Sequence, residues 1–375
     1  MRHKLNKTKL FIPGPVQIKD DLTSTEYHAP FGHRDSEAHD LYLSISTNLF
    51  RLAGVEEDDY HCILMNGSGT NGMEACARSL VPNDNSVTFL SVGAFGDLFS
   101  TIARAAGKES HKRVEFELGH AVTLSSFDRK EIAGARTLVL THNESSTGVV
   151  NDIDSICCWS RERGVEVILD GVSIFGGAPV NLSKNKPLAY VTSTQKCLGL
   201  PAGIGIVFLR KDGVAERFEC IENRGYTTDL KRHVAAAEKM EVLTTPNCTL
   251  WRQLNRQLQH IVTIEGVHAR FDRHRALRAQ VQEWIERNRL ALFPEPKDAS
   301  PTLSAIRISP NVNLKILKEK VRSRGFLMDT GYAKVNQYLM ENRGYQTFRI
   351  PHMADMTTAK LRDFLNVVKQ EMDDL

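Results

Sequence analysis

Membrane spans, disulfide frameworks and a strong net charge are all missing from this sequence. No apolar stretch approaches the roughly 18 residues that a membrane-spanning helix needs. The seven cysteines form no CxxC pair and no metal-ligand spacing, so we expect reduced, mostly packed thiols and no metal site. The formal net charge is +3, from 48 basic and 45 acidic residues mixed along the chain, which gives no strong electrostatic case for binding nucleic acid or a membrane.

We expect no signal peptide, because residues 1–7 (Met-Arg-His-Lys-Leu-Asn-Lys) lack an apolar core. We therefore expect a cytoplasmic protein. With 41% hydrophobic and 25% charged residues, the composition is typical of a soluble globular protein. The 375 residues exceed what one core usually spans, which predicts one large domain of about 200 to 250 residues and a smaller one. We expect an N-terminal segment and large domain over 1–260 and a small C-terminal α+β domain over 261–375.

Short apolar runs alternate with helix-like patterns through the first part of the chain. The runs of strand length are His61–Met65, Ser86–Leu90, Thr137–Thr141, Val165–Leu169, Leu188–Ser193 and Gly205–Leu209. This alternation predicts an α/β fold with a largely parallel sheet covered by helices on both faces. After Thr249 the pattern is helical to about Glu286, and strand-like pieces follow at Ala305–Ile308 and Thr347–Ile350. We interpret these as a connecting helix and the small domain.

Polar, glycine and aromatic residues follow directly after these runs, where ligands gather in open parallel sheets. They are Ser68 and Gly69, Phe95, Asn143 to Thr147, Asp170 and Lys196. Their shared position favours one site at the carboxyl edge of the sheet more strongly than any single motif does.

The loop after the first run has two interpretations. The glycines of Gly67–Gly72 form GxGxxG, the dinucleotide-binding fingerprint. A dinucleotide site also needs an acidic residue at the end of the next strand, and residues 88–93 (Thr-Phe-Leu-Ser-Val-Gly) have none. We therefore interpret Ser68, Gly69 and Thr70 as a phosphate cup at a helix N-terminus. An ordinary tight turn with N-capping is the alternative.

Asp170 closes the run Val165–Leu169, and Lys196 follows it by 26 residues. A lysine amine can hold an aldehyde as a Schiff base and a carboxylate can keep a ring nitrogen protonated, which together suit pyridoxal phosphate (PLP). Aspartates also cap helices after parallel strands, and loop lysines are commonly solvated. The joint placement of the two residues favours the cofactor, as does the glycine-rich stretch Gly199–Gly205, which lets the chain turn back beside a bound ring.

Two further segments suit such a site. Phe95 follows the next strand, where its ring could stack on a flat heterocycle, although aromatic residues near loop ends are more often core. The segment His142–Ser146 has five consecutive hydrogen-bonding side chains, more polarity than a buried strand end usually holds without a ligand. Helix capping before Ile153 would explain one or two of them.

The motifs and their order resemble the class V aminotransferase family of fold-type I PLP enzymes. This group holds alanine-glyoxylate, serine-pyruvate, phosphoserine and 2-aminoethylphosphonate-pyruvate aminotransferases. The resemblance runs nearly end to end and is carried by Phe11–Pro15, Gly32–Arg34, Gly67–Gly69, Glu144–Gly148, Asp170–Ser173, Thr194–Lys196, Thr244–Pro246 and Phe348–Ile350. It implies a mostly parallel seven-stranded sheet in the large domain and a homodimer with shared active sites.

The resemblance also implies roles in cofactor binding. Lys196 would form the Schiff base with PLP, and Asp170 would pair with the pyridine nitrogen. Phe95 would stack on the ring, where relatives often carry tryptophan. The remaining cofactor contacts would come from Ser68, Gly69, Thr70 and Gln195 at the phosphate, from Ser146 and Val172 at the ring, and from Thr244 of a second subunit.

Substrate contacts are implied in the same way. Arg349 would bind the substrate carboxylate, because a guanidinium fork suits that planar anion. Gly14 belongs to the loop that resembles the substrate side of the family's site. Arg34 belongs to a His-Arg pair that matches one used by phosphoserine aminotransferases near the substrate phosphate. Asp329–Tyr332, before the last helix-like segment, would face the site as well.

The implied activity is PLP-dependent transamination of the EC 2.6.1 type by a ping-pong mechanism. The amino group would move from a small amino acid such as alanine, serine or glutamate to a small 2-oxo acid or aldehyde. A transaminase of the phosphoserine or 2-aminoethylphosphonate type is the alternative.

Two rival functions remain open. Cysteine desulfurase-like lyases use the same lysine, but they usually place histidine before it, where this chain has Gln195, and a loop cysteine near the C-terminal third, whereas the last cysteine is Cys248. From a different class, a nucleotide-binding protein built on a doubly wound sheet would leave Lys196 idle. The missing ribose carboxylate disfavours it.

Overall fold

A computed structural model describes residues 8–128 and 130–375. Its strands are β1 (Lys9–Phe11), β2 (Tyr60–Gly67), β3 (Val87–Ser91), β4 (Lys112–Glu115), β5 (Thr137–Thr141), β6 (Asn143–Glu144), β7 (Val149–Val150), β8 (Glu166–Asp170), β9 (Ala189–Ser193), β10 (Gly203–Arg210), β11 (Ala291–Leu292), β12 (Leu303–Ile308), β13 (Phe326–Met328) and β14 (Gln346–Pro351). Its helices are α1 (Ser36–Ala53), α2 (Gly69–Leu80), α3 (Ala94–Ala105), α4 (Lys130–Ala133), α5 (Ile153–Glu162), α6 (Leu182–Asn185), α7 (Val214–Cys220), α8 (Leu230–Ala237), α9 (Cys248–Gln259), α10 (Val267–Arg287), α11 (Leu314–Ser323), α12 (Ala333–Arg343) and α13 (Thr358–Asp373).

Seven of the described strands form one sheet in the order β2-β10-β9-β8-β5-β3-β4. Within the described sheet β10 alone is antiparallel to its neighbours β2 and β9, and the other pairs are parallel. The prediction of an α/β fold with a mostly parallel seven-stranded sheet is confirmed. β4 has no counterpart among the expected runs, because this short strand consists mainly of charged residues.

The side chains of this sheet alternate between its two faces, since successive residues of a strand point in opposite directions. In β5, Leu138 and Leu140 pack into one hydrophobic cluster, together with residues of α1 and α9. Val139, between them, packs into a second cluster with residues of α2 and α3. Helices therefore cover both faces, as the alternating pattern predicts.

The C-terminal part of the chain forms a smaller α+β unit. β11, β12 and β14 pair antiparallel, and α10, α11 and α13 share a separate hydrophobic cluster with them. Phe11 of β1 belongs to the same cluster and stacks on Phe364, with ring centroids 4.0 Å apart. β1 also pairs in parallel with β13, so the first described strand packs with the end of the chain. The division after residue 260 stays a prediction.

Two local expectations differ from the structure. The helical stretch after Thr249 is not one connecting helix, because a π-helical turn, His260–Glu265, follows α9, and Gly266 then separates it from α10. Gly266 has φ +85°, a conformation that glycine adopts readily. Asp329–Tyr332 precedes α12, the second last helix, rather than the last helix. As for membranes, none of the helices in the described ranges combines the length and the apolarity that crossing one requires.

Candidate active site

The carboxyl ends of five parallel strands meet at one edge of the sheet. β2, β3, β5, β8 and β9 end at Gly67, Ser91, Thr141, Asp170 and Ser193. The segments that the sequence singles out follow these ends directly. β10 then starts at Gly203, which pairs with Gly67, so the chain after Lys196 returns to the glycine-rich loop.

Lys196 is half-buried, and its amine donates a hydrogen bond to the carbonyl of Pro13. A Cβ at Gly14 would lie 2.8 Å from Cδ, Cε and Nζ of Lys196, and Gly14 has φ +131°, so glycine is required beside the lysine. Removal from water and the nearby Arg349 guanidinium lower the pKa of Lys196 to about 8. More of this amine is therefore unprotonated near neutral pH than in a solvated lysine.

Asp170 is buried at the end of β8, with 5% of its surface exposed. Its carboxylate accepts a hydrogen bond of 2.9 Å from the Val172 amide. Burial raises the pKa of Asp170 to about 7, even though the Val172 bond and the charge of Lys196 lower it. No ion pair joins Asp170 to a cation in the described part of the chain. The group is a buried acid without a positive partner.

Glu144 joins the start of α3 to the polar segment after β5. Its carboxylate is fully buried and accepts hydrogen bonds from the amides of Phe95 and Gly96, each 3.0 Å. It also accepts bonds from the amide and the hydroxyl of Ser146, at 3.0 and 2.6 Å. Because Phe95 and Gly96 lie in the first turn of α3, the carboxylate sits at the positive end of that helix. Glu144 therefore positions Phe95. The two residues are 49 positions apart, so the sequence around Glu144 does not indicate this role.

The glycine-rich loop leads into α2, which begins at Gly69 and Thr70. The first amides of a helix have no carbonyl in a preceding turn to bond. A Cβ at Gly69 would lie 2.3 Å from Cγ2 of Val172 and 3.2 Å from the hydroxyl of Ser193, so glycine keeps this space open. The Ser193 hydroxyl and the Gln195 side-chain oxygen are buried without a hydrogen-bond partner among the described residues. Ser193 was not among the expected site residues.

Arg349 on β14 is buried and already bonded within the chain. Its Nε and Nη2 donate to the two carboxylate oxygens of Asp329, each at 2.8 Å. Its Nη1 donates to the carbonyl of Ser145 at 2.7 Å. The residue expected to bind a substrate carboxylate thus holds a carboxylate of its own chain.

One cavity of about 280 Å³ joins several of these groups. Its lining residues are Ile12, Pro13, Gly14, Phe95, Ser145, Lys196, Lys318, Leu327, Met328, Asp329, Tyr332 and Arg349. The Phe95 ring centroid lies 5.9 Å from the Lys196 amine and 6.1 Å from the Tyr332 ring centroid. An amine, an aromatic ring and a guanidinium therefore face one space of the size of a small substrate.

The other expected site residues lie outside this lining. Asp170, Val172 and the glycine-rich loop contact one another at the same sheet edge. Ser146 is fully buried, with its hydroxyl engaged by Glu144 and by the amide of Ala94, while Ser145 lines the cavity.

Thr244 and Arg34, also expected at the site, are likewise absent from the cavity lining in the described chain. Thr244 accepts a hydrogen bond of 3.1 Å from Asn66 of its own chain. Arg34 is exposed. The roles expected of Ser146, Thr244 and Arg34 stay predictions.

The comparison with known families decides which family the chain belongs to. The family model described as Aminotransferase class-V matches residues 25–363. The chain belongs to the class V aminotransferase family. A 2-aminoethylphosphonate–pyruvate transaminase of Pseudomonas fluorescens (strain Pf0-1) is 26% identical over 371 residues, covering 98% of this chain and 97% of that protein. The resemblance drawn from the motifs is confirmed, as is the expectation of a transaminase.

Solved structures share the fold of this class V aminotransferase. The alanine–glyoxylate aminotransferase from Nostoc sp. superposes with a TM-score of 0.89 at 20% identity, covering 99% of this chain and 97% of that chain. The apo cysteine desulfurase from Thermococcus onnurineus NA1 superposes with a TM-score of 0.75 at 14% identity, covering 99% and 96%. At these identities the likeness confirms fold type I and does not separate transaminases from lyases.

Class V aminotransferases are PLP enzymes, and the residues of this chain fit that cofactor. An aldehyde needs a primary amine whose pKa is lowered, which Lys196 provides. A protonated ring nitrogen needs a carboxylate, and Asp170 supplies a buried one, whose pKa burial raises to about 7. A phosphate needs donors, and the first amides of α2 and the Ser193 hydroxyl, which has no hydrogen-bond partner among the described residues, would be available as donors.

Proposed function

We propose that this chain is a PLP-dependent aminotransferase of small substrates. It would move an amino group from a small amino acid of the alanine, serine or glutamate type to a small 2-oxo acid or aldehyde, by a ping-pong mechanism. One observation carries the proposal: the Lys196 amine, with its pKa lowered to about 8, lines the same cavity as Phe95 and Arg349. This arrangement supplies a nucleophilic amine, a stacking ring and an anion-binding group together.

PLP, when bound, would supply an aldehyde carbon and a ring that accepts electrons. Lys196 would hold that aldehyde at Nζ until the substrate amine replaces it. The freed Nζ would then take the proton from the substrate carbon and return it during the same half-reaction. Asp170 would keep a proton on the ring nitrogen, which compensates the buried carboxylate. The amides at the start of α2 and the side chains of Ser193 and Gln195 would hold the phosphate.

A donor of the 2-aminoethylphosphonate type is the second candidate. The relative from Pseudomonas fluorescens, which is similar over 97% of its length, supports it. A phosphoserine type has less support, because Arg34 does not line the cavity within the described chain. A desulfurase is disfavoured because no cysteine is among the described residues of the cavity lining. Cys197 follows Lys196 in the sequence, but burial raises the pKa of its thiol to about 12, which disfavours the reactive thiolate.

The absorbance spectrum of the purified protein tests the proposal. We expect a yellow band with PLP, and we expect one member of a panel of alanine, serine, glutamate, phosphoserine and 2-aminoethylphosphonate to convert it to the pyridoxamine phosphate spectrum. A protein that stays colourless with added PLP would refute the function. Release of sulfide from cysteine would support the lyase.

Lys196→Ala should remove the yellow band and lower turnover at least about a hundredfold, because the variant lacks both the amine that bonds the cofactor and the base that moves the proton. Absorbance and single-turnover rates would measure both effects. Lys211→Ala, a change of an exposed lysine, is the matched control. Retention of band and turnover in the Lys196 variant would exclude the assignment.

We also propose a homodimer in which Thr244 reaches the phosphate of the second subunit, and a cytoplasmic location. Thr244 lies beside Asn66, at the end of β2 that leads into the glycine-rich loop. All seven cysteines lie in the described part of the chain and are free, which suits a reducing compartment. Sedimentation analysis would measure the assembly, and cell fractionation would measure the location.

A further inference from the structure

Asp329 is held in place by more than its ion pair with the arginine. Its Oδ1 also accepts a hydrogen bond of 2.8 Å from the amide of Gly331. The Asn336 side chain donates to the carbonyls of Thr330 and Thr347, at 2.9 and 2.8 Å, and so ties the loop to β14. A Cβ at Gly331 would lie 2.2 Å from the Thr347 carbonyl, so the loop packs directly on that strand. The Asp329 carboxylate is therefore held in a fixed position in the cavity wall.

The pairing leaves Arg349 with few donors for a substrate. A guanidinium has five N–H groups. Asp329 takes one on Nε and one on Nη2, and Ser145 takes one on Nη1. A substrate carboxylate would have to use the remaining edge or displace Asp329. In either case the substrate carboxylate lies close to the negative charge of Asp329 and is repelled by it. The side chains of Arg349 and Asp329 are only 9% and 15% exposed, so water screens this repulsion weakly.

Lys318 is a second cation in the cavity lining. It is half-buried on α11, and no ion pair joins it to a carboxylate of the described chain. An anion that entered the cavity could therefore contact Lys318 as well as Arg349. Any test of Asp329 has to separate these two cations.

We infer that Asp329 is a specificity-determining residue that opposes binding of a substrate carboxylate at Arg349. Among the candidates of the proposed function, the site would then favour the aldehyde over the 2-oxo acid as acceptor, or 2-aminoethylphosphonate over the amino acids as donor, because neither carries a carboxylate on its reacting carbon. The inference rests on the proposed function where it concerns turnover, and on the ion pair alone where it concerns anion binding.

Propionate binding tests the ion pair without catalysis. The dissociation constant would be measured by ligand-observed NMR on the PLP-loaded wild type, Asp329→Asn, Arg349→Ala and Lys318→Ala. We expect propionate to bind about tenfold more tightly to Asp329→Asn, because one repelling charge is removed while the asparagine oxygen can still accept from Gly331. Asp373→Asn, on the exposed end of α13, is the matched control. Unchanged or weaker binding of propionate to Asp329→Asn would overturn the inference. The inference would also fail if the gain in affinity is lost when Asp329→Asn is combined with Lys318→Ala but kept when it is combined with Arg349→Ala.

Matched substrate pairs test the consequence for catalysis. Alanine and ethylamine differ only in the carboxylate, as do pyruvate and acetaldehyde. In Asp329→Asn we expect KM for alanine to fall about tenfold relative to KM for ethylamine, and KM for pyruvate to fall about tenfold relative to KM for acetaldehyde. Equal changes within each pair would overturn the inference. If the wild type turns over none of the four and the amino-acid panel leaves its spectrum unchanged, the proposed function fails, whereas the propionate result still decides the role of Asp329.

Discussion

Asp170 is a buried acid that forms no ion pair with the residues that the structure describes. Its folded pKa of about 7 lies above the value of about 3.9 for an unfolded aspartate. Between these pH values the folded protein keeps a proton that the unfolded chain releases. Stability that is present at low pH is therefore lost as the pH rises toward 7.

Asp170→Asn should remove this loss in the PLP-free protein. The asparagine cannot ionise, so the variant should gain stability relative to the wild type, by about 2 to 3 kcal/mol more at pH 8 than at pH 5. Urea unfolding at both pH values measures the difference. Asp58→Asn, at an exposed position, should show no such trend. Parallel pH profiles for Asp170→Asn and the wild type would contradict the assigned pKa.

The sequence predicts the location of residues at or just after the end of a buried strand. Asp170 and Lys196 follow strand ends, so the parallel sheet brings them to one edge. The Asp329–Arg349 ion pair joins positions 20 residues apart on different elements, and no local pattern signals which edge of the arginine is filled. Glu341 and Asp355 lie nearer to Arg349 along the chain than Asp329 does, so distance in sequence would not have identified the pair.

Helix α3 is an element whose start depends on a distant carboxylate. Its first turn carries Phe95, and the amides of Phe95 and Gly96 are bonded by Glu144, from beyond the end of β5. Glu144 also bonds Ser146 by amide and hydroxyl. Without the carboxylate, three amides, two of them buried, and one buried hydroxyl lose an acceptor.

Glu144→Ala should lower the free energy of unfolding by about 3 kcal/mol or more, since each buried donor left unsatisfied costs about 1 to 3 kcal/mol. Chemical unfolding at neutral pH measures the loss. Glu319→Ala, an exposed change on α11, should cost far less. A loss of under 1 kcal/mol in Glu144→Ala would show that water replaces the carboxylate at little cost.

Other elements show where sequence patterns stop being informative. The buried strands β5, β8 and β9 are visible as apolar runs because both of their faces are covered. The edge strand β4 pairs only with β3 and is mostly charged, so hydrophobic patterning misses it. Helix α12 is only weakly amphipathic, so the sequence pattern does not reveal it as a separate helix between residues 329–332 and the last helix.

At the scale of the whole molecule, Arg270 on α10 joins distant parts of the chain. It is fully buried and donates to the carbonyls of Gly176 and Cys197, at 2.9 and 2.5 Å. It also pairs with Glu265 and Asp355, at 2.9 and 3.0 Å. The residue after Lys196 is thereby connected to the segment that follows β14.

Asp355→Asn should destabilise the protein by about 3 kcal/mol at neutral pH, because it leaves a buried guanidinium with less compensation. Burial would raise the pKa of Asp355, but Arg270 and Lys19 bring it below the usual value. The stability it contributes is therefore present above a pH of about 3.9 and is lost as the pH falls through the lower folded value. Unfolding curves at pH 7 and below pH 4 measure this change.

The difference between Asp355→Asn and the wild type should therefore shrink in acid. Asp363→Asn, at an exposed position on α13, is the control for a lost charge of the same sign. A difference that stays constant over this pH range would assign the effect to packing rather than to the ion pair.

The reversed strand β10 has a consequence for how this architecture can vary. Residues 194–202 connect two neighbouring antiparallel strands, β9 and β10, so they form a short span fixed at both ends by the sheet. A second wall of the cavity comes from residues 12–14, from Lys318, from residues 327–329 and 332, and from Arg349, which belong to separate segments. If the proposed function holds, reactivity and substrate recognition would reside on different segments of the chain, and changes in the second wall would alter the substrate while Lys196 stays in place.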